Sequence, residues 1–156
     1  MGLKDTIVQS AAGFLIERPG KAKSLDEWQA ALAASGAAID ERAAAAKDPV
    51  KASIVLRHIS GIERWGQRRL RVFLGEPALR DEYDGYRPST DLTLDEQRAF
   101  FQATRAHTLA LIDQLKAADR APDTVAHNDY GPLTVRGWLR YLDIHASLES
   151  KKIATR

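Results

Sequence analysis

The sequence predicts an all-α protein: a four-helix bundle with a short extra N-terminal helix and a long loop between the second and third helices. Three observations predict it. Over four long stretches, apolar residues recur at three- and four-residue steps, which places them on one face of a helix. Capping residues stand at the starts of those stretches. No stretch shows a convincing strand pattern, and the intervening loops are uneven in length. At 156 residues, one domain spanning 1–156 is expected, long enough for a real core.

The elements follow in order. Leu3 to Ile16 reads as a short amphipathic helix that Pro19-Gly20 ends. Ser24 to Glu27 spells a capping box, and the helix behind it runs to about Ala46 with Trp28, Leu32, Ile39 and many alanines. Alanine favours helix intrinsically and lets helices approach closely. Asp48-Pro49 starts the second long helix, since proline at the first helical position loses an N–H that has no partner there. That helix carries Ile54, Val55, His58, Ile59, Ile62 and Trp65 on its inner face and closes at Gly75 and Pro77. Glu76 to Asp91 is the long loop. Thr93 to Glu96 is a second capping box, and the third helix continues to about Ala118. Asp119 to Pro132 reads as loop. Thr134 then caps a last helix to Ile153, with Trp138, Tyr141, Leu142, His145 and Leu148 in one stripe.

Composition limits the function classes. Charge is nearly balanced, 23 basic against 21 acidic residues, which argues against a nucleic-acid partner. Arg64, Arg68, Arg69 and Arg71, flanked by Glu63 and Glu76, read as a solvated helix face. Glu63 reads as a surface partner of an arginine. Absence of cysteine excludes disulfides, thiolate metal sites and a cysteine nucleophile. No apolar run approaches the roughly 20 residues of a membrane span. Asp5, Gln9 and Ser10 interrupt the N-terminus, so it is not a secretory signal. A cytoplasmic location without membrane contact is expected.

The candidate chemistry lies in His58, His145 and Glu149, all on inward faces. An ionisable group facing a core is costly unless something pairs with it. Residues four apart on a helix can share one metal ion, and a ligand from a facing helix closes one side of its coordination sphere. Two imidazoles and a carboxylate suit Zn, Ni, Fe(II) or Mn. The same spacing also serves a plain salt bridge, and an inward histidine also serves as a hydrogen-bonded core residue. His127, Asp129 and Tyr130, with Tyr83 and Tyr86 of the middle loop, are candidates to line the mouth of such a site. For His127 local hydrogen bonding is favoured over catalysis, and His107 is given no role.

Two stretches resemble a known family. Leu56-Arg57-His58-Ile59-Ser60-Gly61-Ile62-Glu63-Arg64-Trp65 is similar to the DinB-like superfamily, damage-inducible-type bacterial proteins. So is Leu133-Thr134-Val135-Arg136-Gly137-Trp138-Leu139-Arg140-Tyr141-Leu142-Asp143-Ile144-His145, with a residue four later pointing the same way. The resemblance covers nearly all of the chain after about residue 20. It implies a four-helix bundle, often dimeric, with a metal held by one histidine on the second helix and a His-x-x-x-His pair on the last. Some members are transferases or isomerases that use low-molecular-weight thiols, with the metal holding and activating the thiol or a water. Carried over, the first two ligands are His58 and His145. The third position holds Glu149 instead of histidine, which implies either a harder, more negative site or one that has lost tight metal binding.

Two functions follow. The first is a metal-dependent transferase or hydrolase acting on a small molecule, with a low-molecular-weight thiol as a possible cosubstrate. The alternative is a non-catalytic dimeric bundle that binds a small ligand or protein in a stress response.

Overall fold

A computed structural model describes residues 2–118 and 122–156. The chain begins with α1 (Leu3–Ala12), a π-helical turn (Gly13–Glu17) and α2 (Arg18–Lys21). Then come α3 (Leu25–Ala44), α4 (Pro49–Val72), a 3-10 turn (Tyr83–Tyr86) and α5 (Leu94–Ala117). Two short strands, β1 (Val125–His127) and β2 (Gly131–Leu133), precede α6 (Val135–Ser150).

The capping chemistry sets the helix starts. Ser24 and Thr93 form the expected capping boxes with Glu27 and Glu96, while Asp48 accepts from Lys51 N and Thr134 from Gly137 N. α4 packs along α5 and α6, and α3 packs along the same two, so α3 and α4 barely touch across the core. The C-terminal tail returns to the end of α3: Lys47 N donates to Ala154 O at 2.9 Å and Arg156 N to Ala45 O at 3.0 Å. Among the described residues no helix is long and apolar enough to cross a membrane.

Several sequence expectations are corrected. Pro19-Gly20 does not end the N-terminal helix; the helical path continues through Lys21. A proline ring crowds the carbonyl four residues back and removes a hydrogen bond. The wide π turn accommodates both effects, and the Leu15 carbonyl lies 3.5 Å from Arg140 Nε. The loop expected before α6 contains an antiparallel hairpin pairing Val125 with Leu133 and His127 with Gly131. Three-residue strands, one holding Pro132, are too short to show an alternating pattern. Asp119–Ala121 of that loop lie outside the described residues. Ile54 and Leu148, placed inward by periodicity, are exposed at 64% and 55%.

The charged residues of α4 are also corrected. Glu63 is buried, not superficial: both its oxygens accept from Arg105, at 2.8 and 2.9 Å, and Oε1 accepts from Thr108 at 2.7 Å. Arg105 Nη1 also donates to Leu32 O and Ser35 Oγ, and Ser35 donates to Asp143 at 2.7 Å. A Cβ on Gly36 would stand 3.0 Å from Arg105 Cγ, so glycine there makes room for the arginine stem. This polar layer joins α3, α4, α5 and α6 and separates two apolar clusters. One holds Trp28, Leu32, Trp65, Leu111 and Trp138; the other holds Ile39, Leu56, Ile59, Phe101 and Ala146. Arg69 is not solvated either. It is buried under the long loop, where it pairs with Asp81.

Removing one partner of a buried ion pair strands the other charge, which costs about 3–5 kcal/mol. Glu63→Ala is expected to lower stability by about that amount in urea unfolding. A Glu63→Leu/Arg105→Met double variant is expected to regain a large part of the loss.

Candidate metal centre

α4 brings His58 to the core edge, and α6 brings His145 with Glu149 one turn further on. One ligand atom from each of the three lies within 4.8 Å of the others. The two Nε2 atoms face each other at 3.2 Å. Tyr83, from the 3-10 turn, meets the His58 ring edge-on at 5.4 Å between centroids. Burial lowers the His58 pKa; Glu149 partly offsets this, and Lys152 and Arg87 reinforce it. Burial also pushes His145 down, to about 4, with a further contribution from His58. Both rings are therefore neutral at pH 7, the protonation state a metal ligand needs. Burial works to raise the Glu149 pKa, but the hydrogen bond and charge of Lys152 hold it below its ordinary value. Lys152 Nζ stands 2.7 Å from Glu149 Oε2.

The donor set fits a divalent cation. Two imidazole nitrogens about 2.0–2.1 Å from a common tetrahedral centre stand about 3.3 Å apart, close to the separation found. The carboxylate is anionic and within reach. The trio is equally satisfied as a local network, with one imidazole donating to the other and Lys152 neutralising Glu149.

Two cavities border the trio, and His145 lines one of them. One, of about 430 Å³, is apolar and lies between the N-terminal segment and α6, walled by Val8, Leu15, Ile16, Tyr130 and Tyr141. The other, of about 450 Å³, contains His58 and Glu149 among Lys51, Arg57, Arg87 and Lys152. Of the expected mouth residues, Tyr83 reaches His58 and Tyr130 reaches the apolar cavity. Tyr86 instead donates to Asp81 at 2.6 Å, and Asp129 lines a separate cleft with Asp5 and Arg80. The cationic residues were not anticipated. Lys51 lies seven residues before His58 and hence on its face, a spacing legible in the sequence, whereas Arg87 arrives from a loop that carries no periodicity.

His127 does not join the trio. It is a buried strand residue whose Nδ1 accepts from the N–H groups of Asp129 and Tyr130, at 3.0 and 3.3 Å. Local hydrogen bonding is thus its observed role. Its proton must sit on Nε2, which has no hydrogen-bond partner, inside a cage of Trp65, Tyr130, Trp138 and Tyr141 with centroids 4.5–5.2 Å away. Burial there pushes its pKa down to about 4, helped by the charge of Arg69.

Helices carrying inward imidazole and carboxylate groups at one shared point define a helical protein with a candidate metal-ligand cluster. The family model of the DinB superfamily matches residues 53–147, a span that holds both histidines and stops two residues short of Glu149. The chain belongs to the DinB superfamily, which includes metal-dependent enzymes. Neither the comparison with curated proteins nor that with solved structures finds a match.

The folded pKa of His127 lies below the value near 6.5 of an unfolded chain, so the unfolded state binds the extra proton between them. The contribution of His127 to stability is full above about pH 6.5 and is lost as pH drops toward 4. His127→Asn retains an acceptor for the two N–H groups but does not titrate. Urea unfolding across this range is expected to show its pH slope reduced by about one proton, ~1.4 kcal/mol per pH unit.

Proposed function

We propose that the chain is a metal-dependent enzyme, a transferase or hydrolase acting on a small molecule, with His58, His145 and Glu149 holding one divalent cation. The observation that carries this reading is the convergence of three ligand atoms within 4.8 Å from two different helices. On this reading α3 to α6 form the four-helix bundle of a single domain, with the site near one end. Two imidazoles and one carboxylate suit Zn, Ni, Fe(II) or Mn, and leave room for a substrate. When bound, such a cation lowers the pKa of the water or thiol it holds, so that a nucleophile is available near neutral pH.

The chain's own residues do the rest. His58 and His145 stay neutral and offer lone pairs. Glu149 supplies the negative charge and stays oriented by Lys152. Tyr83 covers the outer edge of His58 and limits how His58 can turn. Dimerisation forms part of the proposal, supported by Leu3, Ile7, Phe14 and Leu15, which leave an exposed apolar surface on the N-terminal segment. An Ile7→Glu/Phe14→Glu variant is then expected to sediment as a monomer where the parent sediments as a dimer.

One observation favours a second reading. Glu149 already has Lys152, and the imidazoles already have each other. The protein is then a non-catalytic helical bundle that binds a small ligand or another protein. Elemental analysis of protein purified without a metal-affinity tag, after reconstitution with Zn, Ni, Fe(II) or Mn, separates the two. About one metal per chain is expected in the parent, with at least about tenfold weaker binding in His58→Ala and Glu149→Ala. Absence of bound metal after every reconstitution overturns the enzyme reading in favour of the second. With metal bound, thiol-transfer and hydrolysis screens that give a chelator-sensitive turnover identify the reaction.

A further inference from the structure

The cavity that holds His58 and Glu149 has an unusual lining. Its floor is apolar, from Val55 and Ile54, and Ile54 is exposed despite its place in a core-periodic helix. Around that floor stand four cations, Lys51, Arg57, Arg87 and Lys152, against the one carboxylate of Glu149. Lys152 is taken up by Glu149. Arg87 pairs at Nη2 with Asp84, and its guanidinium lies 5.6 Å from the Tyr83 ring centroid. Among the described residues Lys51 and Arg57 pair with no carboxylate; Arg57 Nε donates only to Pro88 O, at 2.8 Å.

Two further observations separate this from an ordinary charged surface. Arg87 has a built seat. A Cβ on Gly61 would overlap Arg87 Cγ and stand 3.4 Å from its Cα, so the glycine of α4 lets the loop lie against the helix one turn from His58. Arg87 Nε is also buried without a hydrogen-bond partner. That nitrogen is closed off from the cavity, so what Arg87 offers an anion there is its positive charge and not this N–H. A cavity with an excess of positive charge over an apolar wall also concentrates anionic solutes.

We infer that the cavity beside His58 and Glu149 binds the anionic head of an amphiphilic small molecule, with Lys51, Arg57 and Arg87 taking the head and Ile54 and Val55 the apolar part. This deepens the proposed function, on which it rests only for the statement that the bound anion is a substrate; the binding itself needs no metal. The head is a carboxylate or a phosphate, either of which offers several acceptor oxygens to guanidinium and ammonium groups. Bound there, it presents its neighbouring atoms to the side of the trio that faces the cavity. Lys51, Arg57 and Arg87 are positioning residues in this scheme, because they hold the molecule and do not touch a reacting atom.

The test uses the full chain, metal-free, followed by imidazole ¹H–¹⁵N correlation spectra. The probes are hexanoate, hexyl phosphate, hexan-1-ol and acetate. Hexanoate or hexyl phosphate is expected to shift the His58 resonances saturably, and the tighter of the two identifies the head. Hexan-1-ol and acetate are expected to bind at least about tenfold more weakly, one lacking the charge and the other the tail. Lys51→Glu, an exposed position, is expected to weaken the anionic probe by about tenfold, and Arg57→Glu by as much or more. Raising salt from 50 to 500 mM is expected to weaken binding further. Hexan-1-ol binding as well as hexanoate, no saturable shift with either anion, or unchanged affinity in Lys51→Glu overturns the inference. Co²⁺ absorption spectra of the parent and of Lys51→Glu, taken separately, test the metal reading. A parent that takes up Co²⁺ but no anion sinks only the anion site, and one that binds the anion but no metal sinks only the metalloenzyme.

Discussion

A carboxylate sealed in the middle of the helices constrains almost everything else in this molecule. Glu63 and Arg105 meet through two parallel hydrogen bonds, and each is at most 4% exposed. Removing both charges from water costs several kcal/mol per ion, and the pair is tolerated because the remaining donors and acceptors are satisfied. Thr108 donates to the carboxylate, while Ser35 Oγ and the Leu32 carbonyl accept from the guanidinium. Apolar contacts tolerate small slips of one helix along another, but a bidentate pair does not. The pair therefore fixes the height at which α5 meets α4, and through Ser35 and Asp143 the register of α3 and α6. His58 lies five residues from Glu63 on α4, and His145 two residues from Asp143 on α6. The same two helices that this network ties together carry the imidazoles, which face each other at 3.2 Å.

The outer boundary of the site depends on a second anchor. The Asp81 backbone carbonyl accepts from Trp65 Nε1, Arg69 Nη2 and Asn128 Nδ2, and its side chain takes Arg69 and the Tyr86 hydroxyl. A long loop would otherwise lose considerable conformational freedom to adopt one shape. Tied at Asp81, it returns along α4 so that Tyr83 and Arg87 arrive beside His58. The hairpin does a similar service for the other end: His127 and its aromatic cage fill the space between α4 and the start of α6.

The result is a cluster with a different environment on each side. His145 borders an apolar cavity formed with the N-terminal segment, while His58 and Glu149 open onto a cavity dominated by cations. Both imidazoles are neutral and the carboxylate is charged, so the trio offers lone pairs and one negative charge in a surround of positive potential. The proposed cation site and the proposed anion site would draw on that asymmetry, one on the trio and the other on the cationic cavity.

The four long helices and their starts are legible in the sequence. Capping and 3.6-residue periodicity are local properties, and Ser24, Asp48, Thr93 and Thr134 act where local chemistry requires. The sequence also placed His145 and Glu149 on one face, because i,i+4 spacing holds in any α-helix. Tertiary structure decided what the helix faces meet. Glu63 read as a surface residue because a charge is buried only when a partner some forty residues away is placed to receive it, and nothing local announces Arg105. Arg69 was misplaced for the same reason, its partner lying in the loop. Ile54 fits the apolar period yet lines an open cavity, since periodicity gives direction and not what lies there. The hairpin and the loop-borne Arg87 stayed hidden because three-residue strands and aperiodic loops take their conformation from the helices they pack against.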